Sequence, residues 1–154
     1  MVCLGNICRS PMAEGVLKKK LIENNLDQKV KIDSAGTISL NQGEHPDNRA
    51  IQTAKKNGVD ISKFIARPFT AKDFDAFDKI IVMDNSNYND VVSLARNETD
   101  ILKVKMLMNY SKPGSNQALP DPYFGSLDGF DKMYKMIDVA FDAIILSLNK
   151  EINS

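Results

Sequence analysis

Two cysteines and an arginine lie close together near the start of the chain, in the segment Cys3-Leu4-Gly5-Asn6-Ile7-Cys8-Arg9-Ser10-Pro11. A cysteine thiolate is a strong nucleophile, and an arginine offers a planar, permanently charged fork that suits two oxygens of a phosphate. Gly5 and Asn6 are residues that tolerate left-handed backbone, which a tight loop around an anion requires. The segment therefore indicates phosphoryl transfer to a cysteine, with the oxygens held by backbone N–H groups and arginine.

The same segment has the pattern of a strand end, a short loop and the start of a helix. Ser10 is a favourable N-cap, and Pro11 suits the first helical position. The loop from Cys3 to Ser10 is then expected to lead into the positive end of a helix dipole, where successive N–H groups bind an anion. Such donors favour the thiolate form of Cys3, and the Ser10 hydroxyl is placed to stabilise that thiolate as a leaving group.

Apolar periodicity divides the rest of the chain into alternating helices and strands. It predicts helices over 11–24, 48–57, 86–95 and 128–149, strands over 29–35, 79–84 and 101–108, and loops over 36–46 and 109–125. This alternation predicts an α/β fold, with a four-stranded parallel sheet, helices on both faces and one domain over residues 1–154. Ligands of such sheets bind at the carboxyl ends of the strands, where the cysteine loop is expected to lie.

The first strand of this sheet is expected to be shortened, because only Met1 and Val2 precede Cys3. Strands usually need about 3 to 10 residues, so this stub is not expected to pair along two neighbours. Either the chain is a truncated reading of a longer gene product, or its first strand is degenerate.

The composition narrows the classes of partner. The 154 residues include 20 Lys+Arg and 20 Asp+Glu, so a broad electrostatic footprint for nucleic acid is not expected. No apolar run approaches the length of a membrane span, and no signal peptide is visible. Two cysteines without a disulfide framework favour the cytoplasm, and the single His45 lacks metal-ligand spacing to either cysteine. The oligomeric state stays open.

The stretch from Cys3 to Glu14 resembles the signature of the low-molecular-weight protein tyrosine phosphatases. The resemblance covers most of the chain, since further segments match the family: Ile32-Asp33-Ser34-Ala35-Gly36-Thr37, Ala66-Arg67-Pro68, Met83-Asp84-Asn85-Ser86-Asn87 and Asp121-Pro122-Tyr123-Phe124. It implies the phosphotyrosine phosphatase I-like fold and hydrolysis of phosphotyrosine proteins or aryl phosphates through a cysteinyl-phosphate, without a cofactor or metal.

The resemblance also implies roles at matching positions. Cys3 would be the nucleophile, Arg9 would bind the phosphoryl oxygens, and Asp121 would be the general acid and then the base that activates water. The phosphate-binding loop would comprise Leu4, Gly5, Asn6, Ile7, Cys8, Arg9 and Ser10. Loop support would come from Asn6, Ser10 and Ser34, and the substrate slot from Leu40, Tyr123 and Phe124. Cys8 would trap Cys3 as a reversible disulfide under oxidation.

Two positions depart from the family pattern. Phe64 stands where the family often places a histidine that contacts the loop asparagine, and we expect this to loosen Asn6. Leu40 stands where an aromatic side chain often lines the slot, and we expect this to change substrate preference.

Other interpretations of these residues stay open at the level of the sequence. Cys3 is alternatively an inert core thiol, Cys8 a structural loop residue, Asp121 a turn cap, and Tyr123 with Phe124 part of the core. An arsenate reductase of the same fold is an alternative function, although its thioredoxin-coupled form relays a disulfide through further cysteines and none follows Cys8. A phosphate- or phosphopeptide-binding module without turnover is another.

Overall fold

A computed structural model describes residues 1–154 and shows a four-stranded sheet in which every pairing is parallel. The strands are β1 (Val2–Cys3), β2 (Ala35–Gly36), β3 (Ile80–Val82) and β4 (Val104–Met106). Their order across the sheet is β2-β1-β3-β4. The predicted four-stranded parallel sheet is therefore confirmed, with the strand that precedes the cysteine loop in an internal position.

Seven helices complete the chain: α1 (Arg9–Glu23), α2 (Asn48–Lys56), α3 (Asp73–Ala76), α4 (Asn85–Val92), α5 (Glu98–Leu102), α6 (Met108–Ser111) and α7 (Leu127–Ile152). Buried residues of α1, α2, α6 and α7 form one apolar core with Cys3 and Ile81. A second core contains Phe74 of α3 and Val91 of α4, packed with Val2 and Val82. Because successive strand residues point to opposite faces, these two cores confirm helices on both sides of the sheet. None of the helices combines the length and apolarity needed to cross a bilayer.

The shortened first strand pairs on both of its sides. Val2 is in register with Ala35 of β2 and with Val82 of β3. The N–H of Ala35 donates to the carbonyl of Met1 (2.9 Å), and the N–H of Thr37 donates to the carbonyl of Cys3 (2.9 Å). The expectation that this stub cannot pair along two neighbours is therefore wrong, because backbone groups in the sheet plane point alternately to the two sides.

All three strands predicted from apolar periodicity are shorter in the structure, and the one predicted over 79–84 is limited to Ile80–Val82. The strand predicted over 29–35 is limited to Ala35–Gly36, because β1 contributes only Val2 and Cys3 for pairing. The first two residues of the strand predicted over 101–108 belong instead to the end of α5. This helix is capped by Asn97, whose side chain accepts the N–H of Asp100 at 2.9 Å. Only Val104–Met106 remain extended, and α6 occupies the start of the loop predicted over 109–125.

Candidate active site

The loop from Cys3 to Ser10 lies at the carboxyl end of β1, between the side of the sheet that carries β2 and the side that carries β3. This is the position where open α/β sheets bind ligands. Asn6 has φ 57°, so the loop turns through left-handed backbone, as expected for a tight anion-binding bend. Gly36 lies against this bend, since a Cβ there would approach the Leu4 carbonyl oxygen at 2.8 Å.

Ser10 lies in the first turn of α1 and not at its N-cap. The helix begins at Arg9, and Cys8 is the N-cap residue. The sequence prediction placed the start at Pro11, and it is wrong by two residues because the loop already turns into helix at Arg9. Pro11 is still accommodated, since N–H groups of the first turn have no intrahelical partner. Instead of capping the helix, the Ser10 hydroxyl lies 3.0 Å from the Cys3 Sγ.

A network of hydrogen bonds between buried polar side chains supports the loop from Cys3 to Ser10. The Asn6 side-chain amide donates to Ser10 Oγ at 2.7 Å and to Ser34 Oγ at 3.0 Å. The Ser34 hydroxyl in turn donates to Glu14 Oε1 at 2.6 Å, and all four side chains are buried. Arg67 closes the arrangement, because its backbone N–H donates to Asn6 Oδ1 at 3.1 Å. The expectation that Phe64 loosens Asn6 is therefore wrong, since the amide has partners for both its N–H groups and its oxygen.

Arg9 is a buried arginine with fixed partners on one side of its guanidinium. Its Nη1 donates to Asp84 Oδ2 at 2.7 Å and to the Leu119 carbonyl at 3.0 Å. Its Nη2 lies 3.6 Å from Asp121 Oδ2. The guanidinium is thus anchored by groups that follow β3 and α6, and it points its second amino group toward Asp121.

Asp121 occupies an exposed loop between α6 and α7. Its Oδ1 accepts the N–H of Tyr123 at 3.1 Å, and its side chain is 39% exposed. The turn-capping interpretation is therefore correct for one carboxylate oxygen. The other oxygen faces Arg9, so the same carboxyl group also borders the phosphate-binding loop.

An open cleft of about 220 Å³ joins the loop to this acid. Its walls include Cys3 and Arg9 together with the three residues expected to form the slot, Leu40, Tyr123 and Phe124. The last two rings meet edge to face, with centroids 4.9 Å apart. Phe124 is 96% exposed and Leu40 82% exposed, so the core interpretation of the aromatic pair is wrong, because the loop carries both rings at the surface.

Cys8 is a second buried, free thiol in the loop. Burial raises the pKa of this thiol above its ordinary value, and the nearby Asp47 carboxylate raises it further. At neutral pH Cys8 is therefore protonated and weakly nucleophilic. This state is compatible with both the structural and the redox interpretation of Cys8.

The sequence reasoning missed several residues of this site. The resemblance includes Asp84 only as part of a turn and assigns it no role, although its carboxylate holds Arg9. Its signal is the position directly after β3, at the same sheet edge as the cysteine loop. Glu14 was also missed as a partner of Ser34, because nothing local in the helix sequence separates a buried acid from an exposed one. Ile38 and Asn41 were missed as cleft residues.

A central parallel strand leads through a Cys-x5-Arg loop into a helix, and this arrangement together with the family match makes the protein an α/β phosphoric monoester hydrolase. Residues 1–154 match the family model described as low molecular weight phosphotyrosine protein phosphatase. The chain belongs to this family.

Individual relatives agree with this assignment. The low molecular weight phosphotyrosine protein phosphatase of Schizosaccharomyces pombe is 40% identical over 134 residues, which covers 86% of this chain and 85% of the relative. A crystal structure of a protein tyrosine phosphatase from Entamoeba histolytica has a TM-score of 0.91 and 35% identity, covering 97% of this chain and 95% of that chain. A solved structure described as a Drosophila arginine phosphatase has a TM-score of 0.87 and 34% identity, covering 96% and 94%.

Proposed function

We propose that the chain hydrolyses phosphotyrosine and small aryl phosphates in two steps, with Cys3 as the nucleophile. The observation that carries the proposal is that the Cys3 sulfur, the Arg9 guanidinium and the Asp121 carboxyl group border one cleft. The start of α1 and the backbone N–H groups of the loop supply the partial positive charge that a phosphoryl dianion requires.

In the first step the Cys3 thiolate attacks phosphorus, and the bond between phosphorus and the aryl oxygen breaks. The Asp121 carboxylic acid gives its proton to the leaving phenolate, so a neutral phenol departs. Charge on the non-bridging oxygens is stabilised by the loop N–H groups and by Arg9. Arg9 serves this role because Asp84 and the Leu119 carbonyl hold its Nη1 in place.

In the second step a water molecule attacks the cysteinyl-phosphate, and the Asp121 carboxylate accepts the proton of that water. The bond between sulfur and phosphorus breaks, which releases inorganic phosphate and restores the thiolate. The Ser10 hydroxyl, 3.0 Å from the sulfur, donates to the developing negative charge. The other acceptor of this hydroxyl, the Ala35 carbonyl, lies farther away at 3.4 Å, and the Asn6 amide donates to the same Ser10 oxygen at 2.7 Å.

The substrate class follows from the walls of the cleft. Tyr123 and Phe124 place two aromatic rings beside the acid, and such rings pack well against the flat ring of a phosphotyrosine. We place the protein in the cytoplasm, because Cys3 and Cys8 are both free thiols and the nucleophile must stay reduced.

The test uses a phosphotyrosine peptide, p-nitrophenyl phosphate and a phosphoarginine peptide as substrates. We expect turnover of the first two, no turnover in Cys3→Ser, a collapse in Arg9→Ala, and inhibition of the wild type by vanadate. Rapid quenching should trap one phosphoryl group on Cys3.

Three results would contradict the proposal. Full activity in Cys3→Ser would show that Cys3 is not the nucleophile. Faster turnover of the phosphoarginine peptide than of the phosphotyrosine peptide would reassign the substrate. Binding of phosphotyrosine without a burst of phenol release would make the chain a binding module.

A further inference from the structure

We propose that Arg49 is a positioning residue that ties the loop of Asp121 to the phosphate-binding loop and thereby sets the reach of the acid. The inference rests on the proposed role of Asp121. Arg49 is the second residue of α2, and no motif or resemblance in the sequence assigns it a part in the reaction.

The guanidinium of Arg49 is anchored first to its own helix cap. Asp47 caps α2 by accepting the Arg49 backbone N–H at 2.8 Å. The same carboxylate accepts Nε at 3.0 Å and Nη2 at 2.9 Å, a two-pronged pair that fixes the plane of the guanidinium. Hydrogen bonds from Arg49 hold the pKa of Asp47 below its usual value, so the pair stays charged near neutral pH.

This charged pair is connected to the phosphate-binding loop through the backbone. The N–H of Asp47 donates to the carbonyl of Ile7 at 2.8 Å. Ile7 lies between the nucleophile and Arg9 within the loop. The position of the Arg49 guanidinium is therefore defined relative to the site where phosphate binds.

The remaining donors of Arg49 hold the loop of the acid. Nη2 donates to the Tyr123 carbonyl at 2.9 Å, and Nη1 donates to the Gly125 carbonyl at 3.2 Å. Four of the five N–H groups that a guanidinium carries are thereby used. The Tyr123 residue that receives this bond also donates its own N–H to Asp121 Oδ1, so Arg49 fixes the backbone that fixes the carboxyl group.

The loop has few other connections that could replace this one. Between Pro120 and Ser126 the other backbone hydrogen bonds are local, such as that from the Gly125 N–H to the Pro122 carbonyl at 2.9 Å. Pro122 is buried and anchors one point of the loop by packing. The guanidinium also stacks on the buried ring of Phe130, 4.7 Å from its centroid, which places Arg49 between the loop and α7.

The experiment compares substrates that do and do not need a proton on the leaving group. Phenyl phosphate needs it, whereas the anion of dinitrophenol leaves from dinitrophenyl phosphate without it. In Arg49→Ala we expect kcat/KM to fall about tenfold or more for phenyl phosphate and less than about twofold for dinitrophenyl phosphate. Arg49→Lys should lie between the two, because an ammonium donates to one carbonyl but lacks the fork.

Two controls separate positioning from a general loss of structure. Lys56→Ala removes a cation from the same helix, one that pairs with Asp131 at 2.8 Å on the surface, and should leave both substrates unaffected. Adding Arg49→Ala to Asp121→Asn should cause little further loss, since a residue that acts through the acid has no effect once the acid is absent.

Different results overturn different claims. If Arg49→Ala lowers kcat/KM equally for both substrates, or lowers it again by a similar factor on top of Asp121→Asn, Arg49 does not act through the acid. The role of Asp121 itself is judged separately. If Asp121→Asn loses activity equally on both substrates, the proposed acid fails, whatever Arg49 does.

Discussion

Replacing Asp84 with asparagine tests whether Arg9 is held in place by its buried partner. The two side chains are 24% and 4% exposed, and they pair at 2.7 Å. Removing one member of a buried ion pair leaves the other charge without compensation and lowers the free energy of unfolding by about 3 to 5 kcal/mol. We expect about 3 kcal/mol here, because Asp84 is partly exposed. Asp84 also caps α4 by accepting the Asn87 N–H at 2.8 Å, and asparagine retains that function.

Alanine at the same position removes the cap as well and should cost about 1 kcal/mol more. In a domain of this size about 1 kcal/mol corresponds to roughly 2–4 °C in Tm. We therefore expect Tm to fall by about 6–12 °C in Asp84→Asn and by about 8–16 °C in Asp84→Ala. We also expect kcat/KM to fall by about tenfold to a hundredfold in both, because an untethered Arg9 turns toward Asp121.

The measurements are calorimetric unfolding and initial rates on p-nitrophenyl phosphate. Asp90→Asn is the matched control, since it makes the same chemical change at an exposed position of the same helix. Wild-type Tm together with wild-type kcat/KM in Asp84→Asn would refute the reasoning, because Arg9 would then need no carboxylate to stay in its working orientation.

Two further predictions concern a pair of glycines and the second thiol. Gly36→Ala should lower kcat/KM by about tenfold or more, because its Cβ would meet the Leu4 carbonyl oxygen at 2.8 Å; Gly15→Ala, whose Cβ would meet apolar side chains, should lower the free energy of unfolding by about 1–3 kcal/mol and leave kcat/KM unchanged. Burial raises the pKa of Cys8 from 9.0, so above that pH the unfolded chain loses this proton first and stability falls. Denaturant titrations at rising pH should show that the free energy of unfolding falls less in Cys8→Ala than in the wild type. An equal fall in both proteins would contradict a raised pKa of Cys8 as the cause.

Local sequence signals were sufficient for the elements that carry Cys3 and Arg9. The apolar run at 79–84 predicts β3, and the helical spacing of apolar residues over 128–149 predicts most of α7. The type and spacing of Cys3 and Arg9 place both in one loop, because they are joined by only five residues. These predictions depend on interactions within a few residues of each other.

Interactions between distant residues explain what the sequence could not predict. The length of β2 depends on how many residues β1 offers for pairing, and not on the alternation of its own side chains. Asp84 is 75 residues from Arg9, and Ser34, which only the family resemblance assigns to loop support, is 28 residues from Asn6. Pairs of this kind form only when the sheet brings strand ends together, so residue types alone do not select them among the other acids and serines of the chain.

Cys3, Arg9 and Asp121 differ in how many polar partners their side chains hold, and under the proposed mechanism this difference decides which inactive variant can serve as a substrate trap. Removing the Arg9 side chain would leave the partly exposed Asp84 carboxylate and the buried Leu119 without the donor that pairs with both. The Asp121 carboxylate has one short hydrogen bond, within its own loop, and the Cys3 sulfur has one, to Ser10. Variants at Cys3 or Asp121 should therefore keep the binding site for a phosphorylated protein intact. A variant at Arg9 should lose both the binding site and the catalytic activity.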